Sequence, residues 1–398
     1  MILKLEILCI YLTGLLQGLV LVTVPAASLV FTASGAFNFS SSEYGFLFIP
    51  QVLAAIAASL LGPWFTRRFG MRVVYRLGLF FNILAMALIA ASQWLCGHHG
   101  AYVLVIFGTT LVGAGFGLML PTINVYATNF FPNNSASALT VLHTLLGIGT
   151  ALAPFLVTVF VKQIGWWLLP IFVIAALIIL LMGAFILPLK DQRASNMEES
   201  SSIEPSPFLP GRVRLFLLIV FLYGFCETIF ANWAIIFLNK EKGLQVEEAG
   251  YALTAFWVTV SVGRLLISII SVWVSPRWVY RILPILITVS LIVVAKASTS
   301  MAGILSFALA GLSCSAFFPL TFSLGQEGFE SMAERVSGWL MASYMLGYGV
   351  AAYGVGKMIE LTHIPLADWY LNSTMIALGV VFLSFILTQR IPIKGLRG

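Results

Sequence analysis

Long apolar runs alternate with short polar segments along the whole chain. Each run is about as long as the ~20 residues that a helix needs to cross the hydrocarbon layer of a membrane. The runs lack the alternation of polar and apolar positions that a membrane β-barrel requires. The pattern therefore predicts twelve spanning helices, near 6–31, 44–66, 73–95, 101–129, 136–161, 166–188, 213–238, 249–273, 279–297, 301–325, 333–358 and 367–389.

The composition leads to the same class of protein. Hydrophobic residues make up 60% of the chain, charged residues only 9%, and the mean hydropathy is +1.01. A soluble domain carries roughly 25% charged residues. Most of the surface must therefore face a lipid bilayer, and we predict an all-α membrane protein with twelve transmembrane helices.

The basic residues predict the orientation of the chain in the membrane. Fifteen of the 21 Lys and Arg residues fall on the side of the N-terminus when the spans are counted in alternation. Cytoplasmic loops of membrane proteins carry such an excess. We therefore expect the cell inner membrane as the location, with both termini cytoplasmic. Because the basic residues lie in short loops between spans, the net charge of +6 does not indicate a nucleic-acid partner.

The chain lacks the motifs of an enzyme or a cofactor protein. The four cysteines, Cys9, Cys96, Cys226 and Cys314, have no paired spacing and lie in or beside apolar segments. There is no phosphate-binding G-x-x-x-x-G-K loop and no hydrolase nucleophile elbow. We expect no enzymatic activity, no cofactor and no metal site.

The two halves of the chain repeat each other. Three short stretches match in order, Leu12–Gln17 with Leu222–Glu227, Arg72–Arg76 with Arg277–Arg281, and Leu146–Ala151 with Leu346–Ala351, at offsets of 210, 205 and 200. The offset falls slowly, as small differences in loop length would produce. The repeat predicts two six-helix halves related by an axis along the membrane normal, with a site between them at mid-membrane.

One polar segment separates the halves. Residues 191–211 are rich in Ser and Pro, a composition typical of a flexible linker. We therefore predict residues 1–189 as the N-terminal half, 190–212 as a cytoplasmic linker and 213–398 as the C-terminal half.

Several motifs resemble one branch of a known transporter family. Part of the chain resembles helices 4 and 5 of the fucose-permease branch of the major facilitator superfamily. The stretches concerned are Gly113–Asn124 with Tyr126, Phe131–Pro132, Leu146–Gly149 and Ala153–Pro154. Helices 7 and 8 of that branch resemble Gly224–Trp233 and Phe256–Arg264. The resemblance implies the major facilitator fold and sugar/proton symport by alternating access.

The loop between the second and third spans departs from the superfamily pattern. The usual G-x-x-x-D-R-x-G-x-R is replaced by G-P-W-F-T-R-R-F-G-M-R, which is one residue longer and lacks the acidic residue. The resemblance implies a role in conformational gating for Arg67, Arg68 and Arg72. The alternative is a basic anchor on the cytoplasmic side.

Two charged residues lie deep within predicted spans. A charged side chain at mid-membrane costs roughly 2.5–3.5 kcal/mol on insertion scales and is therefore a candidate functional group. Glu227 lies about 21 Å along its span, at ~1.5 Å per residue. We predict that Glu227 couples transport to protons together with Arg264. The alternatives for Glu227 are a direct hydrogen bond to the substrate and helix packing with Arg264 as its partner. The alternative for Arg264 is extension toward the cytoplasm.

Uncharged polar side chains at similar depth are candidates for binding the substrate. They are Gln17, Asn124, Tyr126, Asn232, Trp233 and Trp257. Gln17 is the repeat counterpart of Glu227, and the resembled symporters often carry acidic residues in helices 1 and 4. Because an amide cannot carry a proton, we predict that coupling is located in the C-terminal half. For the aromatic residues, packing is the alternative.

Together these features predict a secondary active transporter for a small polar organic solute, sugar-like or another metabolite. We expect the protein to be a monomer and transport to be driven by a proton gradient. An exporter of drugs, siderophores or metabolites is one alternative. A membrane sensor or scaffold that keeps the fold without transport is another, because a fold does not determine its function.

Overall fold

Twelve long helices form most of the computed structural model, which describes residues 2–189, 210–270, 273–327, 329 and 333–389. Their bounds are α1 Ile2–Ala26, α2 Phe48–Phe69, α3 Met71–Ala91, α4 His99–Phe130, α5 Ser135–Gln163, α6 Leu168–Ile186, α7 Gly211–Ile236, α8 Val246–Ile270, α9 Pro276–Lys296, α10 Ser300–Cys314 continued by Phe317–Gln326, α11 Ala333–Thr362 and α12 Leu366–Gln389. Within the described ranges, eleven helical spans are long and apolar enough to cross a membrane. The predicted all-α membrane fold is confirmed.

The twelfth helix, α11, is long enough but less apolar than the others. It has 30 residues, many of them Gly, Ser and Tyr. It packs on α7 and also on α2 of the other half, so less of its surface faces lipid. With twelve crossings, α1 begins and α12 ends on the same face of the molecule.

The packing of the helices repeats between the halves. In the first half α1 packs on α5 and α2 on α4, and in the second half α7 packs on α11 and α8 on α10. The halves meet where α5 contacts α8 and where α2 contacts α11. Adding six to each helix number exchanges these two interfaces, as a twofold pseudo-symmetry requires. The predicted pair of six-helix halves is present.

Two arginines show the same symmetry at the level of side chains. The guanidinium carbon of Arg76 lies 4.2 Å from the ring centroid of Phe185. Its repeat counterpart, Arg281, lies 5.4 Å from the ring centroid of Phe385. Each pair joins the third helix of a half to its sixth, and cation–π contacts of this kind contribute about 0.5–1 kcal/mol at exposed sites.

Residues 190–209 of the predicted linker lie outside the described residues. Helix α7 begins at Gly211, near the end of the predicted linker. The proposed boundaries of the halves at 189 and 213 therefore stay a prediction.

Polar contacts between the halves cluster at one face, which we call the closed face. It is opposite the face where α1 begins. The carboxylate of Glu360, near the end of α11, accepts hydrogen bonds from the backbone N–H of Ser42 at 2.8 Å and from its hydroxyl at 2.6 Å. Two further contacts there are Lys240 Nζ to the Thr32 carbonyl at 2.9 Å and Lys162 Nζ to the Glu247 carboxylate at 3.1 Å.

Candidate functional site

A cavity of about 670 Å³ lies between the two halves. Helices α1, α2, α4 and α5 line it from one half, and α7, α8, α10 and α11 line it from the other. It extends from mid-height toward the face where the chain begins, because exposed Thr140 near the start of α5 is part of its wall. Its volume falls within the ~300–1,000 Å³ range of small-molecule sites.

Glu227 lies in the cavity wall at the middle of α7. Its side chain is 4% exposed, and its carboxylate accepts a hydrogen bond from the hydroxyl of Tyr344 on α11 at 2.7 Å. The neighbouring hydroxyl of Tyr223 donates to the carbonyl of Cys314 at 2.9 Å. The predicted acid is therefore buried in the cavity wall with a neutral donor as its partner.

Arg264 lines the same cavity from α8 and is half-buried. Its Nε donates to the carbonyl of Ser315 at 3.0 Å, where α10 is interrupted. Pro319 has no N–H, so it cannot donate the helical hydrogen bond that the Ser315 carbonyl would otherwise accept. The contact from Nε fixes the guanidinium at the cavity wall. Its two Nη nitrogens are then available to donate hydrogen bonds to a bound solute.

Three of the predicted substrate-binding residues also line the cavity: Asn124, Asn232 and Trp257. The amide nitrogen of Asn232 donates to the hydroxyl of Tyr348 at 3.1 Å. Asn124 Oδ1 and Trp257 Nε1 are buried without a hydrogen-bond partner. Because a buried polar atom without a partner is costly, these two atoms are candidate contacts for a bound solute.

The other three predicted substrate-binding residues lie outside the cavity lining. Gln17 is 1% exposed, and its Oε1 accepts a hydrogen bond from Asn82 Nδ2 at 2.7 Å within the first half. Tyr126 packs edge-on against Tyr75 with ring centroids 6.0 Å apart. These contacts give both residues a packing role in the first half.

Trp233, the last of these three, is fully buried near the closed face. Its ring packs edge-on against that of Tyr44, with centroids 5.5 Å apart. The hydroxyl of Tyr44 donates across the interface to the backbone carbonyl of Asn232 at 3.1 Å. The Trp233 ring therefore fills the interface between the halves where the cavity ends.

The three arginines predicted to gate the carrier lie at the face where the chain begins. Arg67 and Arg68 end α2 and are exposed. Arg72 donates from Nε to the carbonyl of Leu189 at 2.9 Å, which ties the start of α3 to the segment after α6. A gating role for the three stays a prediction.

Two further residues of the cavity, Tyr344 and Tyr348, were not predicted from the sequence. They are four residues apart on α11, so both hydroxyls lie on one face of that helix and reach the cavity. Their spacing, in a span too polar to face lipid on all sides, is the pattern that would have identified them.

Comparison with known proteins agrees with this architecture. A bundle of two six-helix halves around a central cavity is an architecture found in membrane carriers. The model of the Major Facilitator Superfamily matches residues 7–359, and the chain belongs to that family. The prediction from the sequence motifs is confirmed at this level, and with it the prediction that the protein is a transporter and not an enzyme.

Individual relatives transport sugars or nucleosides. The glucose/mannose transporter GlcP of Bacillus subtilis (strain 168) is 22% identical over 81% of this chain and 80% of that protein. The structure of the nucleoside transporter NupG has a TM-score of 0.77 at 13% identity, covering 96% of this chain and 99% of that one. The Escherichia coli fucose:proton symporter FucP has a TM-score of 0.63 at 16% identity, covering 96% and 98%. The two structures share the fold with this chain.

Proposed function

We propose that this protein is a proton-coupled carrier for a small polar organic solute of about the size of a sugar. The observation that carries the proposal is the buried carboxylate of Glu227, which accepts a hydrogen bond from the neutral Tyr344 hydroxyl in the wall of the cavity between the two halves. A carboxyl group at this position can bind and release one proton per transport cycle. The sugar transporters among the relatives support the substrate class.

The excess of basic residues supports an orientation for the cycle. With the termini in the cytoplasm of a bacterial inner membrane, the cavity opens inward and the closed face is outward. The halves would then rock about the cavity, so that the closed-face contacts break when the site opens outward.

Transport itself is tested with purified protein in liposomes. We expect a pH gradient, acidic outside, to drive uptake of a radiolabelled hexose or hexose derivative until its internal concentration exceeds the external one. Accumulation that is indifferent to the proton gradient would rule out proton coupling. Faster efflux than uptake under matched gradients would instead identify an exporter.

Trp257→Phe is expected to weaken substrate binding about two- to tenfold, because the variant keeps the ring but removes a donor worth about 0.5–1.5 kcal/mol. The matched control is Trp369→Phe, since Trp369 Nε1 is also buried without a partner but lies outside the cavity lining. Calorimetric titration of both variants measures the effect. An equal loss of affinity in both would exclude a substrate contact at Trp257.

In the Glu360→Gln variant, the two halves are expected to separate more often at the closed face. The variant replaces a charged acceptor of two hydrogen bonds from Ser42, and bonds to charged groups contribute about 1.5–3 kcal/mol. A reporter cysteine at Ala231, which lines the cavity and is 5% exposed, should react about tenfold faster with an impermeant maleimide added outside. Replacing native Cys96 by Ser removes the half-buried thiol.

Glu248→Gln is the matched control for Glu360. The Glu248 carboxylate also accepts a backbone N–H, that of Gln245 at 2.9 Å, but both residues belong to the same half. Its labelling rate should equal that of the parent protein. If Glu360→Gln labels no faster than Glu248→Gln, the Glu360 contact does not hold the halves together.

A further inference from the structure

In each half, a proline leaves one helix carbonyl without its backbone donor, and the two halves supply chemically different side chains as the replacement donor. Each has a proline in its fourth helix, Pro121 in α4 and Pro319 in α10. Because proline has no N–H, the carbonyl four residues earlier loses its helical donor. The carbonyls concerned are those of Gly117 and Ser315.

The side chains that donate to these carbonyls are repeat counterparts. Ser59 Oγ of α2 donates to the Gly117 carbonyl at 3.3 Å, and Arg264 Nε of α8 donates to the Ser315 carbonyl at 3.0 Å. Ser59 and Arg264 are separated by 205 positions, the offset of the surrounding repeat. A hydroxyl group is thus sufficient for this structural role. The charge of Arg264 is additional, and it needs another explanation.

The opposite charge in the described cavity lining, that of Glu227, does not form an ion pair with Arg264 within 4.0 Å. Glu227 and Arg264 are the two residues with charged side chains, apart from the imidazole of His143, among the described cavity lining. In the part of the chain that the structure describes, the ion pairs within 4.0 Å join other residues. Glu227 is bonded to Tyr344 instead. A guanidinium at a cavity wall, with both Nη nitrogens available, fits a carboxylate through two parallel hydrogen bonds.

We propose that Arg264 binds the carboxylate of an anionic substrate, so that the protein carries sugar acids of hexose size bearing one negative charge. This inference rests on the proposed function. When Glu227 holds a proton and Arg264 holds the carboxylate, the cavity contains a neutral acid and a closed ion pair. One proton and one monoanion then cross together, and the step moves no net charge.

The charge balance gives a test that needs no mutation. Liposomes containing the intact protein are given either a pH gradient, acidic outside, or a potassium-diffusion potential, negative inside. Uptake of D-glucuronate and of D-glucose is then measured under each condition. We expect the pH gradient to drive accumulation of D-glucuronate and the potential to leave it unchanged. Proton symport of neutral D-glucose would respond to both.

Variants of Arg264 test the recognition itself. Calorimetry of the wild-type protein should show D-glucuronate binding at least about tenfold more tightly than D-glucose, since a bidentate pair between charged groups is stronger than neutral hydrogen bonds. Arg264→Gln should abolish this preference, and Arg264→Lys should keep part of it. Lys296→Gln removes an exposed cation outside the cavity and should leave the preference unchanged.

The outcomes separate the two proposals. Uptake of D-glucose that is driven by the potential, with no uptake of D-glucuronate, would overturn the anion proposal and leave the proton-coupled carrier standing. Equal binding of the two solutes to the wild-type protein would overturn the anion proposal even if the Arg264 variants fail to fold. Accumulation of neither solute under either gradient would count against both.

Discussion

Glu227→Gln is expected to abolish proton-driven accumulation and to leave exchange of the solute intact. The amide is close in size and shape to the carboxyl and still accepts the hydrogen bond from Tyr344, so the cavity keeps its geometry. It cannot bind and release a proton in the working pH range. Since one pH unit is worth about 1.4 kcal/mol per coupled proton, the wild-type protein supports about tenfold accumulation across such a gradient. The variant should reach only the external concentration.

Glu6→Gln is the matched control for this experiment. Glu6 is also a buried carboxyl, 6% exposed, but it lies near the start of α1 and outside the cavity lining. Its variant should accumulate solute as the wild-type protein does. Counterflow with preloaded liposomes separates loss of coupling from loss of transport. Accumulation by Glu227→Gln that still follows the pH gradient would remove Glu227 from the coupling mechanism.

The length and hydropathy of the spans were sufficient to predict the helices. The predicted bounds agree with the structure to within several residues, because a membrane-spanning segment must satisfy its own backbone hydrogen bonds as a helix. The repeat could also be predicted from the sequence, because matched residues such as Arg76 and Arg281 lie in similar stretches of sequence. They also make equivalent contacts in the structure. Glu227 and Arg264 were found because charge inside the membrane is rare and costly.

The neighbours of the site could not be predicted in the same way. Depth along a span does not tell which face of the helix a residue occupies, and three of the six predicted binding residues lie outside the cavity lining. Gln17 is the clearest case, since it matches Glu227 in the repeat but bonds to Asn82 inside its own half. Tyr344 was missed because its role depends on how closely α11 approaches α7. That distance is determined by packing between segments more than 100 residues apart.

Two glycines, Gly224 of α7 and Gly347 of α11, lie at the close approach of these helices, and Gly347 leaves less room for a side chain. A Cβ atom built on Gly347 would lie 2.0 Å from the carbonyl oxygen of Phe221, so Gly347→Ala must push the two helices apart. Overpacking of this kind costs about 1–3 kcal/mol and sometimes more, which exceeds the gain of up to about 1 kcal/mol from the higher helix propensity of Ala. The same movement separates Tyr344 from Glu227. We therefore expect a lower melting temperature together with weaker proton coupling.

Gly354→Ala is the control within the same helix. A Cβ at Gly354 would meet no heavy atom within 4 Å, so this variant should melt at the parent temperature or slightly above it. Gly149→Ala should behave like Gly347→Ala in stability, because its Cβ would lie 1.9 Å from the Leu15 carbonyl in the equivalent pair, α1 and α5. Its coupling should be affected less, since α1 carries Gln17 where α7 carries Glu227. Thermal unfolding and pH-driven uptake, measured on all three variants, separate these effects. Equal melting of the Gly347 and Gly354 variants would show that the helices are not held at this distance by Gly347.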